Sequence, residues 1–264
     1  MRPVFLQVGI LDRASGSAYY EAGNTKLVAA VCGPHAVTQR EGDWERALLE
    51  VSFRRAGWSS HGIGEEGRVS KRDPGHYGEI ADAAQFEQDG VLGSGDSTTH
   101  NDMEREAGLF LSRALESVLL LRQYPGAQID VSVLVLEEDG STTSAAVTVA
   151  ALACADAGLD MVDLLVGSTV ALRRDESGGR QASTEPDMEG ERQAVDGLLV
   201  LAWQPSLCRI ANLRWQGGVE DAREEDGSSG VAAAEAFSTA LEAAISAGAA
   251  MYQAVRLSLE EAAQ

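Results

Sequence analysis

Several groups of side chains in this chain are of types that could do chemistry. Ser141-Thr142-Thr143-Ser144 follow Asp139-Gly140 and precede a helical stretch. Hydroxyls and backbone amides at a helix start can hold a phosphate, as in small-molecule kinases. Asp187, Glu189, Glu191 and Asp196 form an acidic stretch that could hold a divalent cation. Such a run reads more simply as a solvated charged turn, so no metal is expected. His61, His76 and His100 share one Gly-rich region. Their spacing fits no ligand pattern, and exposed, unliganded histidines are expected. Cys32, Cys154 and Cys208 are far apart, odd in number and set in apolar segments. They read as reduced, buried thiols of an intracellular protein. Trp203 and Trp215 fall in strand-like segments and read as core or interface, while Trp58 could stack on a base. Arg54 and Arg55 come after a predicted strand, and Arg113 and Arg122 lie on the predicted long helix.

The charge balance restricts what these groups can do. The chain has 264 residues, with 21 basic and 41 acidic side chains and a net charge of −20. Phosphate backbones are held by clustered Lys and Arg, so this chain alone is a poor binder of nucleic acid. Lys26 and Lys71 are its lysines. With 44% apolar and 23% charged residues the composition is that of a globular protein. No apolar run has the roughly 18 residues a membrane span needs, and no charged-then-apolar leader is evident, so neither a membrane nor secretion is expected. Ser144–Ala155 reads as a buried helix.

The elements that must position these groups follow from periodicity. Val4–Leu11, Ala18–Glu21, Lys26–Gly33 and Leu48–Arg54 read as strands, the second and third joined by a hairpin-like loop over Ala22-Gly23-Asn24-Thr25. Gly33-Pro34 reads as a strand-ending turn. Residues 61–100 are rich in Gly, Asp, Glu and Ser without period, which predicts a flexible surface insertion. Asn101 with Glu104 predicts a helix N-cap, followed by Met103, Ala107, Phe110, Leu111, Ala114, Leu115, Val118 and Leu119 at helical spacing, with Pro125 as the stop. Ile129–Leu136 is a buried strand, 137–144 a polar turn, and Ala145–Ala157 a small-residue helix closed by Gly158. Met161–Leu172 is a strand region and Arg173–Glu191 a charged hairpin or loop. Leu198–Trp203 and Cys208–Gln216 form an antiparallel pair. Residues 217–230 are an acidic loop before a final helix, with Phe237, Leu241, Ile245, Tyr252, Val255 and Leu259 on one stripe. This order is α+β, with mixed sheets packed against helices in one domain spanning 1–264.

Specific strings then carry more than periodicity. Gly16–Lys26 followed by Ala29-Ala30-Val31-Cys32-Gly33-Pro34 resembles the opening of the RNase PH family, its exosome branch in particular. Arg105-Glu106, Ala114-Leu115-Glu116, Tyr124-Pro125, Gln128-Ile129-Asp130-Val131 and Val135-Leu136 resemble its central block. Asp139-Gly140-Ser141, Ala151-Leu152-Ala153 and Asp156-Ala157-Gly158 continue it in order. The resemblance runs from Arg2 to about Glu261, apart from the 61–100 insertion. It implies an RNase PH-like fold, of the ribosomal protein S5 domain 2-like kind.

The resemblance also implies a chemistry to test the residues against. Active members of this family perform phosphorolysis, in which phosphate attacks the terminal phosphodiester of RNA and releases a nucleoside diphosphate. Bringing two anions together needs cations and donors aimed at phosphate oxygens. The family places an Arg in the loop here reading Gly140-Ser141-Thr142-Thr143, and Thr143 stands at its position. A second Arg position aligns with Met103, and Arg105 remains nearby, flanked by Glu104 and Glu106. Losing one charged hydrogen bond costs roughly 1.5–3 kcal/mol, so two such losses weaken transition-state binding on the order of 10²–10⁴-fold. Met103, Arg105, Gly140, Ser141, Thr142 and Thr143 are therefore expected to be a vestigial phosphate pocket, with no catalytic residues and no cofactor. The resemblance implies a structural subunit of the RNA exosome core. Its partners would be paralogous RNase PH-fold subunits in a six-membered ring, cap subunits of the S1/KH type, and RNA passing through the channel to a separate nuclease. Arg54, Arg55, Arg113 and Arg122 are candidates to face that RNA, a neighbour's acidic patch or solvent. The expected location is the nucleus and nucleolus, with the cytoplasm. The rival reading is a phosphorolytic 3′-to-5′ exoribonuclease subunit active with a ring partner.

Overall fold

Alternation of apolar and polar side chains builds the first layer. In the computed structural model, which describes residues 2–36, 44–58, 97–174, 180–194, 196–217 and 228–262, the N-terminal strands are β1 (Val4–Val8), β2 (Gly16–Ala22), β3 (Thr25–Ala36) and β4 (Leu48–Arg55). After α1 (Ser97–Glu116) and a 3-10 turn at Leu121–Gln123 comes β5 (Ala127–Glu137). These strands form one sheet in the order β1-β2-β3-β5-β4, antiparallel except for the parallel β4–β5 pair. Leu27, Ala29 and Val31 on β3 and Ile129, Val131, Val133 and Val135 on β5 point inward and are buried. The residues between them point the other way, as the period of two requires. The β2–β3 turn is two residues long, with Ala22 opposite Thr25 and Gly23 at φ +61°.

The inward face packs on α2 (Thr142–Asp156). Twelve of its fifteen residues are buried, as expected of a helix with no polar stripe. Its other side meets a second sheet of β6 (Val166–Arg174), β7 (Arg180–Thr184), β8 (Gly197–Gln204) and β9 (Arg209–Gly217), in the order β7-β6-β8-β9 and antiparallel throughout. Short α3 (Met188–Arg192) separates β7 and β8, and α4 (Ser228–Ala262) covers the far face of the second sheet. Two glycines let α2 lie between both sheets. A Cβ on Gly16 would strike the backbone of Ala153 and Ala157, and one on Gly167 the backbone of Ser144.

Helices also contact the first sheet's outer strands. The Arg55 N–H on β4 donates to Glu104 of α1 at 3.0 Å. Gly108 of α1 is close enough that a Cβ there would stand 4.0 Å from the Val51 carbonyl oxygen. At the opposite edge, Ser258 of α4 donates to the Leu6 carbonyl of β1 at 3.4 Å.

Several local expectations need correction. Helix α1 starts at Ser97, so Asn101 lies inside it and is not its cap; residues 97–100 are helical and 61–96 lie outside the described residues. Helix α1 ends at Glu116, well before Pro125, and Val118 and Leu119 are buried through a turn and a bridge from Leu119 to Met161. Strand β6 begins only at Val166, and α2 begins at Thr142. Strand β3 runs through Gly33-Pro34 to Ala36 with a register shift between Cys32 and His35. Of the thiols, Cys154 is buried, whereas Cys32 and Cys208 are exposed, because Cys32 lies on the outward face of β3 and Cys208 in the β8–β9 turn. The deepest stripe of α4 is small: Ala236, Ala240, Ala244 and Ala247 with Met251 and Val255. The large residues named in the sequence mostly flank it, since only alanines allow close approach to the second sheet.

Candidate functional site

The turn from β5 into α2 carries the Gly-Ser-Thr-Thr string. Gly140 and Ser141 both have left-handed backbones, φ +77° and +55°. A Cβ at Gly140 would meet the backbone of Asp187 and Met188 at 2.5 and 2.7 Å, so only glycine lets this turn nest against the segment before α3. Ser141 is the N-cap by position, yet its hydroxyl donates to the Pro186 carbonyl at 2.8 Å and caps no helix amide. Thr142 turns its hydroxyl to Glu138 at 3.1 Å. Thr143 is half-buried.

Carboxylates surround this turn. Glu191 of α3 accepts from the Ser141 N–H at 2.5 Å. Burial raises the Glu191 pKa above the ordinary carboxylate value, opposed by that hydrogen bond and reinforced by Glu138. Glu185 is 4% exposed. One of its oxygens accepts from the Thr169 N–H at 3.0 Å and the other from the Ser144 hydroxyl at 3.4 Å. Burial pushes its pKa up to about 7, against the Thr169 hydrogen bond and the nearby Arg2. Both Glu185 oxygens thus serve the interior.

Arg2 and Arg55, two cations that reach the turn, are already engaged, whereas Arg173 stands beside Gly190 of α3 with its buried Nε unpaired. Arg2 donates to the carbonyls of Asp139 at 2.9 Å, Gly140 at 3.3 Å and Pro186 at 3.2 Å. Arg55 is 15% exposed at its side chain, and Glu138 holds it through Nε at 2.9 Å and Nη2 at 3.0 Å. A planar guanidinium paired in this way is neutralised in place. Arg214 at 25% exposure pairs with Glu106 at 2.9 Å.

The expected pocket therefore falls into two groups. Gly140, Ser141, Thr142 and Thr143 are together at the start of α2. Met103 and Arg105 are exposed on α1. The chain Glu104–Arg55–Glu138–Thr142 links the two. Arg105 instead lines a groove of about 370 Å³ with Arg54, Ser52, Glu104, Leu109 and Ser112. Arg113 and Arg122 are exposed on α1 and the 3-10 turn, outside that groove.

The acidic stretch is a solvated turn only in part: Asp187 and Glu189 are exposed, whereas Glu191 and Asp196 are partly buried and engaged. Asp187 caps α3 by accepting from the Gly190 N–H at 2.7 Å, and Asp196, 6% exposed at its side chain, pairs with Arg174 at 2.8 Å. Glu189 accepts from Gln193, while Glu191 turns to Ser141. Sequence reasoning missed Glu185. It was one acidic residue in a charged stretch, and only the long-range approach of β7's end to β6 distinguishes it. Among the described residues no group of three or more metal-ligating side chains converges. His61 and His76 lie outside the described residues, and of His100 only the backbone, in α1, is described.

Trp203 is buried against the core and Trp215 packs edge-to-face on Phe237 with centroids 5.6 Å apart, as strand positions predicted. Trp58 is 68% exposed.

Comparison with known proteins agrees with this architecture. Residues 1–160 match the RNase PH family, described as the 3′ exoribonuclease family, domain 1. Exosome complex component MTR3 of Mus musculus is 36% identical over 229 residues, covering 82% of this chain and 71% of that protein. MTR3 of Homo sapiens is 36% identical over 232 residues with the same coverage. Exosome complex component Rrp41 of Pyrobaculum aerophilum is 32% identical over 219 residues, 82% of this chain and 74% of that one. The crystal structure of rice (Oryza sativa) Rrp46 shares the fold, with a TM-score of 0.70 at 21% identity over 98% of this chain and 95% of that chain. A family match across the first sheet and central helix, and relatives above 30% identity along most of both chains, place this chain in the RNase PH family, on its exosome branch.

Proposed function

We propose that this chain is a non-catalytic structural subunit of the RNA exosome core. It helps to close a six-membered ring with paralogous RNase PH-fold subunits, under S1/KH-type caps, and RNA threads through the channel to a separate nuclease. The observation that carries this reading is the Glu191 carboxylate on the Ser141 amide. An anion of the protein's own takes the donor that an incoming phosphate needs, while Arg2 and Arg55 are held by carbonyls and Glu138. Thr143 adds no cation where the family carries one. Phosphate at this turn would meet Glu138, Glu185 and Glu191, while Arg2 and Arg55 are already held.

The subunit then contributes walls and contacts to 3′-to-5′ RNA processing and degradation, ribosomal RNA included, in nucleus, nucleolus and cytoplasm. Arg54, Arg105, Arg113 and Arg122 are its exposed candidates to face RNA once neighbours add their own cations. Native mass measurement of the endogenous complex, with RNA retention read against salt, tests this. The chain is expected in a fixed-stoichiometry assembly that retains RNA salt-sensitively, with weak retention by the isolated chain. Equal retention by both, or a chain found alone, contradicts it.

One observation favours a second reading. Glu185 and Glu191 bring two carboxylates with raised pKa values beside the turn, a feature suited to acid–base or metal-assisted phosphorolysis with a ring partner. Phosphate-dependent release of nucleoside diphosphates by the complex separates the two.

A further inference from the structure

Arg2, Arg55, Arg174, Arg180, Arg214 and Arg256 are all held by carbonyls or carboxylates of the chain. Arg54 on β4 and Arg105 on α1 are exposed and have no hydrogen-bond or ion-pair partner among the described residues. Both line the groove of about 370 Å³ between β4 and α1. That groove depends on glycine at position 108 of α1. A Cβ there would already stand 3.8 Å from the Phe53 Cβ and 4.0 Å from the Val51 carbonyl oxygen. A side chain longer than that of alanine would enter the open space.

The lining offers three kinds of contact. Two guanidiniums stand against one carboxylate, Glu104, which already accepts from the Arg55 N–H at 3.0 Å. The groove is therefore locally positive on a chain of net charge −20. Planar guanidiniums grip phosphate oxygens in pairs and stack on nucleobases. Leu109, 53% exposed, and Val51 supply an apolar wall. The Ser112 hydroxyl has no partner among the described residues, so it is open to a ribose or a base edge. The Ser52 hydroxyl is taken by Ser132 at 3.1 Å. Two cations, an apolar wall and one open hydroxyl match a single phosphorylated nucleoside, and ligand clefts begin at roughly 300 Å³.

We propose that the β4–α1 groove binds one nucleoside phosphate, with the phosphate between Arg54 and Arg105 and the base against Leu109. The assignment rests on the structural-subunit reading and deepens it, since one nucleotide of a passing RNA strand is the expected source. The footprint is short. Glu50 lies along β4 on the same side as Arg54, and Glu104 and Glu106 flank Arg105, so a longer run of phosphates would meet carboxylates. The groove is also distinct from the turn at Gly140-Ser141, where Glu191 takes the amide and Glu138 holds Arg55.

The full chain is titrated with uridine 5′-monophosphate, uridine, inorganic phosphate and phosphoserine, and a 4-thiouridine monophosphate maps the site by photocrosslinking. The monophosphate is expected to bind at least tenfold tighter than each of the other three and to crosslink to β4 and α1. Arg54→Gln with Arg105→Gln should lower its affinity at least tenfold at unchanged melting temperature, because both side chains are exposed. Gly108→Leu should block binding by filling the groove. Arg256→Gln, which removes a cation on α4, should bind as wild type. Wild-type affinity of the Arg54→Gln, Arg105→Gln variant overturns the proposal, as does the absence of saturable binding. So does inorganic phosphate or phosphoserine binding as tightly as the monophosphate, which would mark a plain anion site or a phosphopeptide site. In the reconstituted complex, crosslinking of 4-thiouridine RNA to the groove assigns a strand as the source, and crosslinking of the monophosphate alone assigns a free nucleotide. Either result upholds the site, and crosslinking of neither overturns it. Failure of the wild-type chain to join any exosome assembly would instead overturn the structural-subunit reading.

Discussion

At the scale of single residues, the proposed catalytic silence has two layers. Thr143 lacks a charge, and Glu191 holds the neighbouring amide. A restored guanidinium would regain about 1.5–3 kcal/mol if the anion site were free, or about 10–100-fold in rate. Because Glu191 occupies it, Thr143→Arg should raise phosphate-dependent product release by the complex less than about twofold; a tenfold gain would show the site to be open. Glu185 sets a pH dependence. Its folded pKa of about 7 lies above the ordinary carboxylate value of 4.5, so the folded state binds the extra proton between them. The associated stability is complete below about pH 4.5 and is lost as pH rises through 7. A difference of that size is about 3 kcal/mol. Melting temperatures from pH 5 to 8 should fall less steeply for Glu185→Gln than for wild type, and parallel slopes would contradict the assignment. The sequence made Thr143 legible because a motif surrounds it. It could not show Glu185 or Glu191 at the turn, since their approach depends on pairing between β6 and β7, far away in the chain.

Among the elements, α2 was the most legible because an alanine-rich run without a polar face has only one place to go. What the run could not show is that glycines on two different strands make room for it. Gly16→Ala and Gly167→Ala each place a Cβ into α2 backbone, and backbone cannot move aside as a flexible side-chain end can. Each should destabilise the fold by about 1–3 kcal/mol, at the upper end or beyond, measured as a lower denaturant midpoint at unchanged slope. Leu152→Ala in α2, where Leu152 is fully buried, should cost about 2–5 kcal/mol through the cavity it leaves. Midpoints equal to wild type would contradict the central position of the helix. The start of α1 was misread because Asn101 and Glu104 mimic a capping box. Glu104 in fact turns to the Arg55 amide on β4's free edge, a tertiary use of a residue whose local pattern is that of a cap.

For the molecule as a whole, charge and architecture point the same way. A chain of net charge −20 is by itself a poor binder of RNA, and on the proposed function its exposed arginines gain effect in the field of neighbours. The order of elements and the motif strings made the fold class legible. The sequence could not reveal which sheet α4 covers, because strands of both sheets alternate or run apolar in similar ways and only the tertiary placement of α4 decides between them. The most direct test of the central claim is phosphorolysis by the reconstituted complex with its separate hydrolytic nuclease disabled. Labelled RNA is incubated over a phosphate series, and nucleoside diphosphates are quantified. The structural-subunit account predicts background release at every phosphate concentration. Release that rises and saturates with phosphate, and vanishes on replacing Glu185 and Glu191 with glutamine, would contradict it.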